Sequence, residues 1–251
     1  MVEIYRRRIQ IAPVGFEVDR VVIPAIKEKA EKVYLMVHKD RSKDKATKYA
    51  AAIQRKLKAK NIETELVYCD WENIEEITRV ARDLILKESS NEVAINLASG
   101  SKNHAIGLDR ACMTFRKRKH IHPFYPEAEK WTAWKYPKQQ STGVKKIKQI
   151  PIHRIIVPEP ELIVALKAIK QDAVDIPMHK GKKGIKKKDL AKSLYGDSSK
   201  VNLTKLQRNI TQKLEKTWRA VEIIQVGQSD WVSLTDEGKY LRYVLKHEET
   251  W

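Results

Sequence analysis

The stretch KVYLMVHKDRSKDKATKYAAAIQRKLKAKNIETELVYCDWENIEEITRVARDLILKESSNEVAINLA, residues 32–98, decides the fold of the N-terminal half. Three short apolar runs alternate here with two segments whose apolar residues recur at helical spacing. The predicted strands and helices are 32–38, 44–60, 63–69, 72–88 and 92–98. Short apolar runs are typical of parallel strands buried on both faces of a sheet. The alternation therefore predicts a doubly wound, mostly parallel sheet with right-handed crossovers.

The same alternation continues on both sides of this stretch. The further elements are a strand at 5–12, a helix at 17–31, a helix at 102–117 and a fifth strand at 120–125. Residues 126–157 differ, because they contain Trp131, Trp134, Tyr136, a Ser-Thr-Gly turn and an alternating run, and they predict a hairpin or a pair of extra strands. We expect both tryptophans to be packing or interface residues rather than base-stacking platforms. Pro158 and Pro160 mark the break between a Rossmann-like domain, 1–157, and a second domain, 158–251.

The second domain has a different pattern of small helices and two strands. The helices are predicted at 161–171, 188–196 and 202–217, the strands at 221–227 and 231–235, and a last helix at 236–247, with Thr235 as its N-cap. Three helices, a β-hairpin and a closing helix predict a winged helix-turn-helix. The predicted fold class is therefore α/β, a Rossmann-like doubly wound parallel sheet followed by a C-terminal winged helix-turn-helix domain.

The charge of the chain indicates a polyanionic partner. There are 50 Lys and Arg residues against 32 Asp and Glu residues, a net charge of +18. A heat-adapted surface is also rich in Lys and Glu, but a network of balanced ion pairs would not leave such an excess of positive charge. Residues 116–157 are the most cationic part, with 11 basic and 2 acidic residues. Nucleic acid is therefore the first expectation, and its footprint should include this segment.

Other protein classes find little support. Cys69 and Cys112 are the two cysteines, and no Cys/His set has the spacing of a metal site, so neither a disulfide framework nor a bound metal is expected. The two histidines of HIHPFYPE (120–127) are interpreted as structural. No apolar run approaches the roughly 20 residues of a membrane helix, and the N-terminus lacks a secretory signal. We therefore expect a cytoplasmic protein that does not contact a membrane.

The third helix of the second domain has two distinct faces. Leu203, Leu206, Ile210 and Leu214 fall in a narrow arc and predict the core side. The opposite side and the preceding basic run carry polar groups that suit a DNA groove, because Arg pairs with guanine, Gln with adenine and Lys with phosphate. An ordinary solvated face is the alternative, but the short preceding helix and the predicted wing favour a recognition helix. The predicted DNA-binding residues are Lys186, Lys187, Lys188, Thr204, Lys205, Arg208, Gln212 and Lys216.

Two loops of the first domain are candidates for a ligand site, because ligands of open parallel sheets bind beyond the carboxyl ends of the strands. After the first strand, Gly15 allows a tight turn and Phe16 is placed to stack on a base. After the fourth strand, a small-residue loop leads into a helix, where backbone N–H groups and a lysine favour a phosphate. That loop supplies Ser99, Gly100, Ser101, Lys102 and Asn103. A tight turn capped by serines, without a ligand, is the alternative.

The strand, the Gly-Phe turn, the strand-helix units and NLASGSKNHAIG (96–107) together resemble the CRISPR-associated Rossmann-fold (CARF) regulators of archaeal type. In that family the loop is often Thr-Gly-Gly-Thr-Lys; here Ser99 replaces one glycine and Ser101 a threonine. The segment LTDEGKYL (234–241) also resembles the last strand-to-helix junction of many winged-helix regulators. The resemblance covers nearly the whole chain.

The resemblance implies a role in antiviral defence as a regulator of transcription. It implies a homodimer that binds a cyclic oligoadenylate in a two-fold pocket, without another cofactor, and a palindromic double-stranded DNA site. Two alternatives stay open. One is a constitutive DNA-binding regulator whose Rossmann domain only dimerises. The other is a ring nuclease that cleaves the cyclic ligand, with Ser99, Ser101, Lys102 and His104, or His38, as its candidate residues. For the favoured function, a ligand-responsive regulator, no catalytic residue is predicted.

Overall fold

A mostly parallel sheet forms the centre of the first of two compact units, Met1–Ile156 and Val157–Trp251. The computed structural model describes residues 5–115, 119–132, 138–151 and 157–245. The parallel strands are β1 (Arg8–Pro13), β2 (Lys32–His38), β3 (Glu63–Cys69), β4 (Glu92–Asn96) and β5 (Ile121–Glu127). They lie in the order β3-β2-β1-β4-β5. The mixed α/β class with a parallel sheet is therefore confirmed, and every residue of β2 is buried, as its continuous apolar run predicts.

Helices cover both faces of this sheet. They are α1 (Asp19–Lys27), α2 (Thr47–Lys58), α3 (Ile74–Lys87) and α4 (Lys102–Met113). On one face, Val21 of α1 and Ile53 of α2 pack against alternate strand residues such as Leu35. On the other face, Ile77 of α3 and Leu108 of α4 pack against the strand residues of opposite orientation. The sheet thus separates two apolar layers, and the chain changes from one face to the other at β3, between α2 and α3.

Two further strand pairings follow β5. Short strands β6 (Lys130–Trp131) and β7 (Ser141–Thr142) pair with each other, and β8 (Lys146–Gln149) joins the main sheet antiparallel to β5. The sequence left open a hairpin or extra strands, and both occur. Trp134 and Tyr136 lie outside the described residues.

The second unit packs its helices on a four-stranded sheet of order β11-β12-β10-β9. The elements are α5 (Pro160–Gln171), β9 (Val174–Asp175), β10 (Lys183–Lys186), α6 (Lys187–Tyr195), α7 (Lys200–Leu206), a π-helical turn (Gln207–Thr211), α8 (Gln212–Lys216), β11 (Val221–Val226), β12 (Ser229–Leu234) and α9 (Asp236–Val244). The segments from 200 to 216 are consecutive and are called the composite helix below. Leu206, Ile210 and Leu214 lie in the core, on the side that their spacing predicts.

Some boundaries differ from the sequence predictions. The Gly/Lys-rich stretch before α6 contains strand β10, because Ile185 is buried and Gly184 lies against β12, where an added Cβ would be 2.7 Å from the Val232 carbonyl oxygen. The predicted single helix 202–217 is interrupted by the π-helical turn. Thr235 does cap α9, since its hydroxyl accepts a hydrogen bond from the Gly238 N–H at 3.1 Å. None of the described helices is both long and apolar enough to cross a membrane.

Candidate functional site

The two loops singled out in the sequence meet at the carboxyl edge of the sheet. An ideal Cβ on Gly15 would lie 2.7 Å from the Gly100 backbone nitrogen and 2.9 Å from its Cα, so the two backbones are in direct contact. Gly100 has a φ of +82°, which favours glycine. Because β1 and β4 are neighbours whose following helices cover opposite faces, these loops form the switch point of the sheet, where open α/β folds bind ligands.

Ser101 and His104 cap the N-terminus of α4 reciprocally. The Ser101 hydroxyl accepts a hydrogen bond from the His104 N–H at 3.3 Å, and the His104 Nδ1 accepts one from the Ser101 N–H at 3.2 Å. Since Nδ1 is an acceptor, the neutral ring carries its proton on Nε2. Burial, followed by the nearby His38, lowers the pKa of His104 to about 4. His104 is thus a neutral, buried group that shapes the loop rather than an exposed acid or base.

The remaining residues of the loop after β4 divide between exposed and buried. Lys102 is exposed at the first position of α4, beside the positive end of the helix. The Asn103 side-chain amide donates to the Trp71 carbonyl oxygen at 3.0 Å, so this predicted ligand residue ties α4 to the segment after β3. Ser99 is buried, and within the described residues its hydroxyl has no hydrogen-bond partner. A buried hydroxyl of this kind is a group that a ligand or a water molecule would satisfy.

Trp71, which the sequence did not single out, lies between the two histidines of this edge. Its ring is 5.3 Å from the His38 ring and 5.6 Å from the His104 ring, in edge-to-face arrangements. The His38 Nδ1 accepts a hydrogen bond from the Asp40 N–H at 2.9 Å, which holds the turn after β2. A tryptophan two residues after the end of β3 was the one signal in the sequence for this role. His38 and His104 therefore pack against a common ring.

The N-terminus of α1 is closed by a distant side chain. The Gln139 side-chain oxygen accepts hydrogen bonds from the Val18 and Asp19 N–H groups at 3.0 and 3.2 Å. Next to it, the Gln140 N–H donates to the Phe16 carbonyl oxygen at 2.9 Å. Two donors at the start of α1 are thus occupied from within the chain, while α4 begins directly after the candidate loop and has the exposed Lys102 at its first position.

Phe16 lies at the junction of this closed turn with the core. Its ring is 5.5 Å from the Tyr49 ring on α2, and it is partly buried. The Tyr49 hydroxyl in turn donates to the Lys138 carbonyl oxygen at 3.0 Å. Phe16 therefore packs against α2 at the edge of the core, and its sequence-based role in stacking on a base stays a prediction.

The second candidate site is a basic groove in the second unit. Thr204, Lys205, Arg208, Gln212 and Lys216 are all exposed on the composite helix, as their spacing predicts. A groove of about 320 Å³ separates this helix from the β11–β12 turn. Its lining comprises Lys186, Lys187, Lys188, Lys200, Leu203, Thr204, Gln207, Gln228, Ser229 and Asp230. Lys200, which is not among the predicted DNA-binding residues, adds a fourth lysine to this wall.

Lys187 bridges the two walls of the groove. Its Nζ lies 2.8 Å from the Gln207 side-chain oxygen and 3.4 Å from an Asp230 carboxylate oxygen. The side chain is only 17% exposed, unlike its two neighbours. Of the three predicted phosphate-binding lysines, Lys187 thus holds the turn against the helix, while Lys186 and Lys188 face solvent. In the sequence the three are indistinguishable.

A family model matches the first part of the chain, and a curated relative matches about two thirds of it. The model described as "HFX_2341_N:-like, N-terminal" matches residues 8–131, from β1 to β6. An uncharacterized protein of Methanocaldococcus jannaschii is 27% identical over 188 residues. That match covers 65% of this chain and 56% of the relative, so the chain spans little more than half the length of that protein.

Several solved structures are similar to the chain. Can2 from Sulfobacillus thermosulfidooxidans, in complex with cyclic tetra-adenylate, has a TM-score of 0.42 at 9% identity, covering 92% of this chain and 77% of that chain. Csm6 from Enterococcus italicus, bound to cyclic hexa-2'-fluoro-hexa-dAMP, has a TM-score of 0.39 at 12% identity, covering 50% of this chain and 35% of that chain. A protein from Vibrio cholerae has a TM-score of 0.41 at 13% identity, covering 94% and 65%.

Proposed function

We propose that this chain is a ligand-responsive DNA-binding regulator, with a winged helix-turn-helix in the second unit and a cyclic oligoadenylate sensor in the first. The observation that carries the proposal is the exposed polar face of the composite helix beside a groove walled by four lysines. A helix with an apolar core side and a basic outer side suits the major groove, and flanking lysines suit the phosphates.

The element order of the second unit supports this assignment. Helix α6 and the composite helix follow one another after a short connection, and the β11–β12 hairpin comes next in the chain, in the position of a wing. Lys187 fixes the hairpin turn against the helix through Gln207 and Asp230, so both elements would approach a duplex as one surface. The exposed Arg208 and Gln212, one helical turn apart, are the side chains proposed to reach base edges.

The switch-point loops support a nucleotide as the ligand of the first unit. The close approach of Gly15 and Gly100 leaves no side chain between the loops, and α4 presents its first turn with Lys102 exposed. These features favour a phosphate group over an apolar ligand. A cyclic oligoadenylate in a homodimer is the ligand that the resemblance to CARF regulators implies, and it would regulate DNA binding by its different affinity for two arrangements of the dimer.

DNA binding is tested first, with the full chain and labelled duplexes over a series of salt concentrations. Arg208→Ala is expected to weaken duplex binding by about 5- to 150-fold, the loss typical of a base contact worth about 1–3 kcal/mol. Lys213→Ala is the matched control, because Lys213 lies on the same helix but its Nζ is 3.7 Å from the carboxylate of Glu159, the residue before α5. Equal, small effects of both changes would refute the assignment of this face to DNA.

The sensor is tested by calorimetric titration with cyclic tetra- and hexa-adenylate, with the ligand recovered afterwards. We expect one intact ring per two chains, and a binding loss in Lys102→Ala but not in Lys58→Ala, an exposed lysine at the opposite end of the sheet. Duplex affinity is then measured with and without the ring. No heat with either ring would favour the inert dimerisation domain, and recovery of a cleaved ring would favour the ring nuclease.

A further inference from the structure

An exposed tryptophan lies next to a lysine-rich strand at the edge of the first unit. Trp131 of β6 is 58% exposed, although the sequence led us to expect a packing or interface residue. An open indole offers a large apolar surface together with an N–H donor, the combination for which tryptophan is enriched at interfaces. Neither candidate site described above includes this residue.

The ring of Trp131 is held in place from below. The guanidinium carbon of Arg20 lies 5.2 Å from the Trp131 ring and 4.9 Å from the Tyr125 ring. Arg20 is itself buried, and it donates to both carboxylate oxygens of Glu17 and to the Pro126 carbonyl oxygen. The indole therefore rests on a fixed cation while more than half of its surface faces solvent. Such a ring is already oriented for stacking and loses little entropy when it binds.

Several lysines lie in the segment that contains β6 and β8, and one of them, Lys148, pairs in register with Tyr125, whose ring contacts the same guanidinium as Trp131. The Lys145 N–H donates to the Glu127 carbonyl oxygen at 2.9 Å, which places the start of β8 beside the residues leading into β6. Within residues 126–132 and 138–151, which the structure describes, the exposed lysines are Lys130, Lys138, Lys145, Lys146 and Lys148. The segment carries two glutamates, Glu127 and Glu129, and Glu127 pairs with Lys148 at 2.7 Å. The face formed by Lys130, Trp131, Lys145, Lys146 and Lys148, called the β6–β8 face, is therefore cationic.

Protection of a sheet edge explains only part of this composition. Lysines on an outer strand such as β8 prevent pairing with other chains. That role does not call for an open indole supported by a buried guanidinium. A rigid aromatic ring beside a cationic edge instead combines the two features by which proteins bind unpaired nucleotides, stacking of bases and attraction of phosphates.

We infer that the β6–β8 face binds an unpaired nucleic-acid strand, with a base stacked on Trp131 and phosphates held by Lys145 and Lys146. A duplex does not fit this site equally well, because its bases already stack on one another and do not expose a ring to the indole. The inference does not depend on the proposed duplex-binding helix or on the cyclic ligand, since it uses none of their residues.

The experiment measures binding of the full chain to fluorescent strands of about 12 nucleotides, a length within the usual site sizes for single strands. The strands are a DNA, an RNA of the same sequence and the matching duplex. Trp131→Ala is expected to weaken binding of the unpaired strands about tenfold and of the duplex less than twofold. Trp131→Phe, which keeps a ring over Arg20, is expected to retain most of the affinity. The tighter of the two unpaired strands identifies the sugar.

The lysines are tested through the salt dependence of the same binding. Changing Lys145 and Lys146 together to alanine is expected to lower the slope of log affinity against log salt by about 1.4, because each neutralised phosphate contributes about 0.7 for a single strand. The controls are Tyr68→Ala, a 47% exposed aromatic residue on the opposite edge strand, and the double change of Lys58 and Lys60 to alanine. Both controls should stay within twofold of the parent chain.

Three results would overturn the inference. The first is unchanged affinity for unpaired strands in both Trp131 variants. The second is a loss as large in the Tyr68 control as in Trp131→Ala. The third is dissociation of a dimer in Trp131→Ala, seen by sedimentation, with strand affinity unaltered, which would make Trp131 a contact between two copies of this chain.

Discussion

Replacing Gly15 with alanine tests the contact on which the switch-point site depends. The new Cβ would lie 2.7 Å from the Gly100 nitrogen and 2.9 Å from its Cα, against about 3.5 Å or more for a comfortable contact. Backbone atoms cannot rotate away as a flexible side chain does. Gly100 also has little room to retreat, because a Cβ on it would be 2.8 Å from the Pro13 Cβ and 3.0 Å from the His104 Nδ1.

The expected cost follows from that geometry. Forcing a methyl group into a closed contact typically costs about 1–3 kcal/mol, and for a unit of this size that lowers the midpoint of thermal unfolding by about 3–10 °C. The displacement would also separate the loop after β4 from the loop after β1. If this edge binds the cyclic ligand, we expect its affinity to fall about tenfold or more, measured by calorimetric titration.

The matched control is Gly196→Ala in the second unit. Gly196 has a φ of +87° and no heavy atom within 4 Å of an ideal Cβ, so alanine there meets backbone strain of about 1–2 kcal/mol without a clash. Its change should leave ligand binding intact. Our reasoning would be refuted if Gly15→Ala had the same midpoint of thermal unfolding as the parent chain. It would also be refuted if Gly196→Ala lowered the affinity for the ligand as much as Gly15→Ala does.

Three further predictions concern stability and reactivity in the first unit. Ser101→Ala removes the N-cap of α4 and should cost about 1 kcal/mol in urea unfolding, while Ser101→Thr should restore most of it. The pKa of His104 is lowered to about 4, so below about pH 6.5 its imidazole is protonated in the unfolded chain but stays neutral in the folded chain. The free energy of unfolding should therefore fall by up to about 3 kcal/mol between about pH 6.5 and 4. The His104→Gln variant should lack this part of the decline in urea unfolding. Cys69 and Cys112 are buried, and burial raises the pKa of Cys69 to about 12, so a thiol reagent should label neither cysteine until the chain is unfolded; rapid labelling of the native chain would contradict this.

Local patterns carried most of the architecture of the first unit. The continuous apolar run of β2 required burial on both faces, and α1 to α4 each had apolar residues at helical spacing. The type of each element and the order of the elements along the chain therefore follow from propensity and periodicity. Strand order did not follow, because the position of β1 between β2 and β4 depends on how the crossovers pack. That order brings Gly15 to Gly100, a contact between residues far apart in the chain.

The misses share a physical origin in tertiary contacts that override local composition. The Gly/Lys-rich stretch before α6 reads as a loop, yet Gly184 and Ile185 form a strand because β12 offers them pairing and an apolar neighbour. Lys187 has the same local sequence environment as Lys186 and Lys188, but the composite helix and the β11–β12 turn both reach its Nζ. The π-helical turn likewise leaves no mark in the spacing of Leu206, Ile210 and Leu214.

Gln139 makes the N-termini of α1 and α4 different as phosphate sites, and only the fold brings it to α1. The sequence predicts a phosphate site at the start of α4, where a small-residue loop and Lys102 meet the helix, and before α1 it predicts a tight turn at Gly15 with Phe16 placed to stack on a base. Gln139 lies about 120 residues beyond α1, and no periodicity links it to Val18 or Asp19, whose N–H groups it accepts. The Gln139 oxygen fills two donors at the start of α1, and the Asp19 carboxylate in its first turn repels an anion, whereas α4 has the exposed Lys102 at its first position. A phosphate at this edge would therefore lie over α4. Because Asp19 remains in the first turn of α1, calorimetric titration of the Gln139→Ala variant should show no added phosphate site.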